Sequence, residues 1–531
     1  MEEASVGRAS TRSAPLIYRL FRSFFRFLTS IWFREVNLVD DEYIADEAGV
    51  LFITWHPNGL IDPMLMTAQL PGKVSTLVQH QLFKVPFVGW LFRQAGVVPI
   101  GATSEHGLNL GRGPSTSAVL SEMAQELVNG GRVLMFPEET THGQATVQRV
   151  RSGPARLLLE ATRLADATGQ PRPRLVPVGL HYSASHRFRE RAAIVLERAM
   201  TIPEYPALES STSEEDDRAW IAKVTNAIEV DLKRANLSRT SWRERTLIWK
   251  GRGLVQAEKQ RQAGQTVSRV SYAEAILGAR RLRAGWEFML EHEPEVANDL
   301  TEACETHFKD LEGRSLKPRD VDSRPPDLTL SGYVKAVGLW LWALVWMFGL
   351  VTWGAMIGNY LPFKFQSLLE RFTKRAKVED SLQGSIKVLS SLVLFPLWWI
   401  VLSGMMTWFL LDSTSPVYLF LASHQLLKYI TMLPAVGIFV FFLVFWPLTA
   451  RAHLKLYARL VRSTRILQQW RAWKDDGTDW ETLVATQQSL AARLVNLGAA
   501  LVLPGDPDWV DPPAGKDDVT AVRRRLEGAS Q

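Results

Sequence analysis

Cysteine is almost absent. Cys304 is the single one in 531 residues, which excludes an intramolecular disulfide framework and any thiolate-based zinc cluster. There is no H-E-x-x-H, and the ten histidines do not cluster, so no metal site is expected. No G-x-S-x-G elbow occurs, and no Ser or Cys sits in an activating context, which counts against a hydrolase with a covalent intermediate. The nearest approach to a phosphate-cradling loop is Gly107–Gly113 (GLNLGRG), which has neither the dinucleotide spacing nor a Lys-Ser/Thr pair. No period of about 20–50 residues recurs, so a repeat architecture is excluded.

What is present bounds the class. Hydrophobic residues make up 47% and charged residues 22%, so the chain is neither disordered nor fibrous. The length exceeds that of one compact core. A net charge of +6 and a pI near 9.3 suit an anionic partner: a phosphate ester, a lipid surface or a nucleic acid. Nineteen tryptophans, many in the last 200 or so residues, suit a membrane interface.

The chain divides by composition. Residues 1–15 read as a disordered lead, with Glu2 and Glu3 where a signal peptide would be basic. Leu16–Val36 reads as an amphipathic helix: Arg19, Arg22 and Arg26 recur at helical spacing among Phe and Leu, the pattern of a helix lying in a headgroup layer. Residues 37–200 alternate strands (Val50–Trp55, Val74–Val78, Val97–Ile100, Arg132–Phe136, Leu175–Leu180) with helices (Pro63–Leu70, Thr116–Val128, Gly153–Thr168). This alternation predicts an α/β domain with a mixed, mainly parallel sheet flanked by helices. Residues 201–330 read as a helical accessory region without chemistry of its own.

The apolar stretches Tyr333–Leu361, Val388–Leu411 and Val417–Leu448 follow, and a helix spanning a bilayer needs about 20 such residues. The second and third qualify as transmembrane helices. The first is expected to enter and return, breaking near Phe348-Gly349. Transport is disfavoured, because only His424 and Lys428 intrude on these stretches. Lys364, Arg371, Lys374, Arg375, Lys377 and Lys387 crowd the loop 362–387, the tail after residue 450 is rich in Arg, and the short loop 412–416 has no cation. The charge bias therefore puts the two basic segments on the cytoplasmic face, and the α/β domain is expected there with them because the first stretch enters and returns. The remainder, 451–531, reads as a basic helix followed by a loose tail.

Two constellations carry chemistry. In ITWHPNGLIDP (53–63) a strand ends at His56, a Pro-Asn-Gly turn follows, and Asp62-Pro63 reads as an N-cap with Pro at the first helical position. That places a carboxylate to hold one imidazole nitrogen while the other acts as general base; the bland alternative is a turn histidine beside a capping aspartate. In GRVLMFPEETTHG (131–143) a second strand ends in a polar loop, a usual ligand position in α/β folds.

These pieces, with LVPVGLHY (175–182), resemble in order the motifs of the glycerolipid acyltransferase family. Five residues intervene between His56 and Asp62 rather than the family's four, in an H-P-N-x-x-x-D-P form similar to the fungal-type glycerol-3-phosphate acyltransferase branch. VPFVGWLFRQAGVVPI (85–100), FPEETTH (136–142), RSGPARLLLEA (151–161) and LQGSIKVLSSLVLFPLWW (382–399) resemble further segments of that branch. The sequence departs from the family at Gly101-Ala102, where an Arg is common, and at Glu139, where Gly is usual.

The resemblance implies a membrane-bound O-acyltransferase of phospholipid synthesis. It would move a fatty acyl group from acyl-CoA or acyl-carrier protein to glycerol 3-phosphate or 1-acylglycerol 3-phosphate. It further implies His56 as base and Asp62 as its partner, with Glu138, Thr140, Arg151 and His142 binding substrate. Implied partners are the thioester donor, the phosphate or lysolipid acceptor and the bilayer, with no cofactor and no nucleic acid. Another lysolipid or a neutral acceptor, or an inactive membrane scaffold, stands as the alternative.

Overall fold

The computed structural model describes residues 15–40, 48–79, 98–100, 116–138, 144–183, 188–204, 214–238, 241–265, 267–321, 329–347, 349–375, 380–424, 433–475, 477–510 and 522–523. Its centre is a seven-stranded sheet of β1 (Phe33–Val39), β2 (Val50–Thr54), β3 (Val74–Gln79), β4 (Val98–Ile100), β5 (Arg132–Met135), β6 (Arg174–Tyr182) and β7 (Glu190–Leu196), ordered β1-β7-β6-β2-β5-β3-β4. All neighbours are parallel except β6 and β7, joined by a short connection. Mixed, mainly parallel character is therefore what the alternation predicts. Parallel pairing needs crossovers, and α2 (Ile61–Gln69), α3 (Thr116–Val128) and α4 (Gly153–Thr168) supply them.

β2 lies between β5 and β6 and is buried along its whole length, which is why VLFIT is apolar without alternation. Its entry needs glycine, because a Cβ on Gly49 would overlap the Leu127 carbonyl at the end of α3.

β1 and β7 are absent from the sequence reading. β1 (FREVNLV) is an edge strand, half-exposed and charged at Arg34 and Glu35; β7 (ERAAIVL) follows a run of charges that masks its period. They extend the sheet beyond β6 and give the accessory helices a wall to dock on.

The helix α1 (Leu16–Trp32) corrects part of the interfacial reading. Tyr18, Phe21, Phe25, Leu28 and Trp32 pack into the domain's own core, whereas Leu16, Ile17, Leu20, Phe24, Phe27 and Ile31 stay exposed. Arg22 is no headgroup cation: it is buried and donates to the carbonyls of Ala68, Leu70 and Gly72, the unpaired acceptors at the end of α2.

The accessory region comprises α5 (Glu214–Ala235), α6 (Trp242–Gln262), α7 (Tyr272–His292) and α8 (Pro294–Gly313). A capping box of Ser271 and Glu274 starts α7, and its Tyr272, Ala275 and Ile276 cover Ala193 and Val195 of β7.

Further helices are α9 (Leu330–Met347), α10 (Leu350–Arg375), α11 (Asp380–Leu411), α12 (Pro416–Ser423), α13 (Ala435–Asp475) and α14 (Gly477–Ala499). α11 and α13 are long and apolar enough to cross a membrane, and the pair α9–α10, bent by 61°, passes the same test only when its two halves are taken together. The break falls where Phe348-Gly349 was expected to make one; Phe348 itself lies outside the described residues. The expected stretch Val417–Leu448 is not one helix, because α12 stops at Ser423 and α13 starts only after Pro434. Nor is the tail loose throughout: α14 buries Trp480, Leu483, Leu490 and Ala491 against Leu254, Leu300, Cys304 and Phe308. The two-residue strands β8 (Leu501–Val502) and β9 (Val522–Arg523) pair antiparallel near the end.

Candidate active site

The carboxyl ends of β2, β5 and β6 meet at one edge of the sheet, the position where open α/β sheets place ligands. His56 follows β2 by two residues. Its Nδ1 lies 2.9 Å from Asp62 Oδ2, and its ring stands 4.3 Å from the Phe136 ring beyond β5. The imidazole keeps 20% of its surface exposed, whereas Asp62 has none. The spacing reading is therefore met in space, with one correction. Asp62 is not the N-cap; Leu60 occupies that place and Asp62 sits in the first turn of α2.

The Asp62 carboxylate is fully occupied by donors. Oδ2 accepts from the Asn58 backbone N–H at 2.7 Å and from His56; Oδ1 accepts from Tyr182 O–H at 2.6 Å and from Asn58 Nδ2 at 3.4 Å. An ionised carboxylate is acceptor only, so His56 donates from Nδ1, which leaves the lone pair on Nε2. Burial first, and then the charge of Asp62, pushes the Tyr182 phenol well above its ordinary range, which keeps it a donor. Tyr182 was not singled out by spacing. Its signal was present at the end of LVPVGLHY, but only strand register brings it to a residue 120 positions earlier.

Glu138 holds the other wall. It is buried, and its two oxygens accept from the backbone N–H of His56 at 2.7 Å and of Gln148 at 2.6 Å. Its placement ties the end of β2 to the segment leading into α4. Arg151 belongs to that segment: its backbone N–H donates to Pro137 O at 2.9 Å, beside Glu138. Thr140 and His142 lie outside the described residues, as do Gly101, Ala102 and Glu139.

One contact comes from far along the chain. Ser385, near the start of α11 and buried, accepts from Leu60 N–H at 2.8 Å and donates to Asn58 O at 3.4 Å. The helix that becomes a candidate span thus caps α2 and holds the turn between His56 and Asp62. Val388, one turn on, joins the domain's own core.

A cavity of about 630 Å³ lies among α6, α7, α8 and α14, lined by Gly251, Leu277, Met289, Leu300 and Cys304 among others, and includes none of the dyad's residues. No group of three or more metal-ligating side chains occurs among the described residues.

In chemical terms the site offers a partly exposed imidazole packed on an aromatic ring and held by a buried carboxylate, an arrangement able to take up a proton. Among curated proteins none matches the chain. Of solved structures, the 1-acyl-sn-glycerophosphate (LPA) acyltransferase PlsC from Thermotoga maritima is similar at 17% identity over 41% of this chain and 80% of that one. Its TM-score of 0.26 marks a likeness too slight to bear on the activity. The segment that carries the dyad, residues 35–181, matches the sequence model of the Acyltransferase family.

Proposed function

We propose that this protein is a membrane-bound glycerolipid O-acyltransferase acting on glycerol 3-phosphate or 1-acylglycerol 3-phosphate. The observation that supports it most is the His56–Asp62 pair, closed by Tyr182 and Asn58, inside the segment that matches the acyltransferase family. His56 Nε2 takes the proton of the acceptor hydroxyl as its oxygen attacks the thioester carbonyl of acyl-CoA or acyl-carrier protein. The C–O bond forms, the C–S bond breaks, and the proton passes to the leaving thiolate. Asp62 offsets the charge on the imidazolium meanwhile. Glu138 shapes the wall of the acceptor pocket, and Thr140, His142 and Arg151 contact the substrate. α11 and α13 anchor the protein in the bilayer with the domain on the cytoplasmic face, where the cations of 362–387 and of the tail also lie.

Acyl transfer assayed on membranes, with glycerol 3-phosphate, dihydroxyacetone phosphate and lysophosphatidate as acceptors, tests the reading. His56→Ala is expected to cost about 10²–10⁴-fold in rate, and near-normal transfer by that variant would refute the mechanism. Arg151→Ala is expected to raise KM for the phosphorylated acceptor and leave that for the donor unchanged. An equal loss toward monoacylglycerol would instead favour a neutral acceptor.

A further inference from the structure

Beyond the dyad, at the same end of the sheet, cations gather without enough anions to match them. Tyr182, which touches Asp62, pairs with Ala192 of β7, and the next residue, Arg191, turns to the opposite face under α7. There Arg191 stands over the Tyr272 ring at 4.6 Å, donates to Val270 O and lies 3.7 Å from Glu35. Arg34 pairs with Glu190 at 3.3 Å. Arg319 and Arg465, from the 3-10 turn Pro318–Asp320 and from α13, share one oxygen of buried Asp320 at 3.7 and 3.2 Å. Arg269 and Lys317 complete the cluster.

Six cations thus face three carboxylates, Glu35, Glu190 and Asp320, among the described residues. Burial lowers Arg191, Arg319 and Lys317 below their ordinary range and Arg269 to about 10, and the neighbouring guanidiniums add to the effect. A half-buried surplus of positive charge is costly on its own and is relieved by an anion. Arg34, Arg319 and Arg465 each keep about a third of the side chain exposed, at 35%, 27% and 33%, so an anion can reach them.

Position separates the sources of such an anion. The apolar part of α13 ends at Ala450, and Arg465 lies roughly 15 residues further on, about 22 Å along the helix at 1.5 Å per residue. The headgroup layer extends only about 5–8 Å beyond the hydrocarbon, so lipid phosphates do not reach the cluster. The dyad, by contrast, is held by Ser385 at the beginning of a candidate span. Cluster and dyad share one end of the sheet, since Tyr182, which touches Asp62, pairs with the neighbour of Arg191, and a soluble molecule with clustered phosphates at one end and a reactive group on a long arm suits the two places. The partial burial suits a small ligand better than the flat surface of a carrier protein.

We propose that Arg34, Arg191, Arg269, Lys317, Arg319 and Arg465 form the site for the nucleotide phosphates of a thioester donor, the pantetheine arm running from there to His56. This rests on the acyl-transfer reading above and selects the nucleotide-linked donor over the carrier protein.

Steady-state transfer by the full chain in nanodiscs tests it with two donors sharing one thioester, palmitoyl-CoA and palmitoyl-pantetheine. Arg269→Gln combined with Arg319→Gln is expected to raise KM for palmitoyl-CoA about ten- to hundred-fold, since hydrogen bonds to charged groups are removed. Its kinetics with palmitoyl-pantetheine, which has no nucleotide phosphates, should not change. Adenosine 3′,5′-bisphosphate should inhibit the wild type competitively and the variant weakly. Equal loss with both donors, or no loss with either, would overturn the proposal, as would a defect confined to acyl-carrier protein or to binding of phosphatidylglycerol vesicles. Should the double variant fold poorly, the single variants Arg269→Gln and Lys317→Gln are read the same way. Failure of the wild type to transfer from any donor would instead strike the acyl-transfer reading itself.

Discussion

Asp62→Asn preserves size and shape, yet the hydrogen bonding at this site makes it a severe change. The carboxylate accepts from both of its neighbours on Oδ2, His56 and the Asn58 N–H, and from Tyr182 on Oδ1. An amide has one accepting atom. With its oxygen toward Tyr182, its NH₂ meets the Asn58 N–H, leaving a buried donor unpaired at a cost of about 1–3 kcal/mol. That NH₂ also forces His56 Nδ1 to accept, so the ring proton moves to Nε2 and the base loses its lone pair. With the oxygen toward His56 and Asn58 instead, the tautomer is kept but the buried Tyr182 O–H loses its acceptor, so the first orientation sets the loss of rate. The comparable exchange in a Ser-His-Asp enzyme costs about 10⁴-fold in kcat through the wrong tautomer, and a loss of about 10³–10⁴-fold is expected here. Asp62→Asn should therefore fall close to His56→Ala. The assay is acyl transfer on membranes at saturating donor, with a thermal-shift measurement on the same samples. Retention of more than about a tenth of wild-type kcat by a folded Asp62→Asn protein would show that the pair does not act through the His56 tautomer.

Two further outcomes follow from the geometry. Ser385→Ala removes the acceptor for Leu60 N–H, worth about 1 kcal/mol as a cap; kcat should fall severalfold with KM for both substrates unchanged, and Ser385→Thr should restore it, whereas a purely structural role would lower thermal stability without the split. His181, wholly buried on β6, is held well below the usual histidine range by burial first and then by Arg280 and Arg245. The unfolded chain therefore binds this proton first, so stability is complete above about pH 6.5 and declines by up to about 1.4 kcal/mol per pH unit as pH falls below it; denaturant melts between pH 7 and 5 should show this slope, and His181→Gln should flatten it.

Composition and local pattern alone determined a good deal. Apolar runs without charge announce α11 and the first half of α13, because a bilayer leaves no alternative partner for such a surface. The uninterrupted VLFIT announces a strand buried on both faces, and the His-Pro-Asn-Gly turn followed by Asp62 brings two groups together within one strand-turn-helix unit. Those features are local, so neighbouring residues suffice to read them. Tertiary structure decided what joins distant segments. Edge strand β1 is half-exposed and charged, and β7, though buried, follows a run of charges that hides its period. Arg22 has the spacing of a headgroup cation and the position of a buried cap, a difference set by where α2 ends. Tyr182 and Ser385 reach the dyad from 120 and 325 positions away through strand register and helix docking. No periodicity records such a contact, because the hydrogen bond depends on where two segments are held in space and not on what stands beside either of them in the chain.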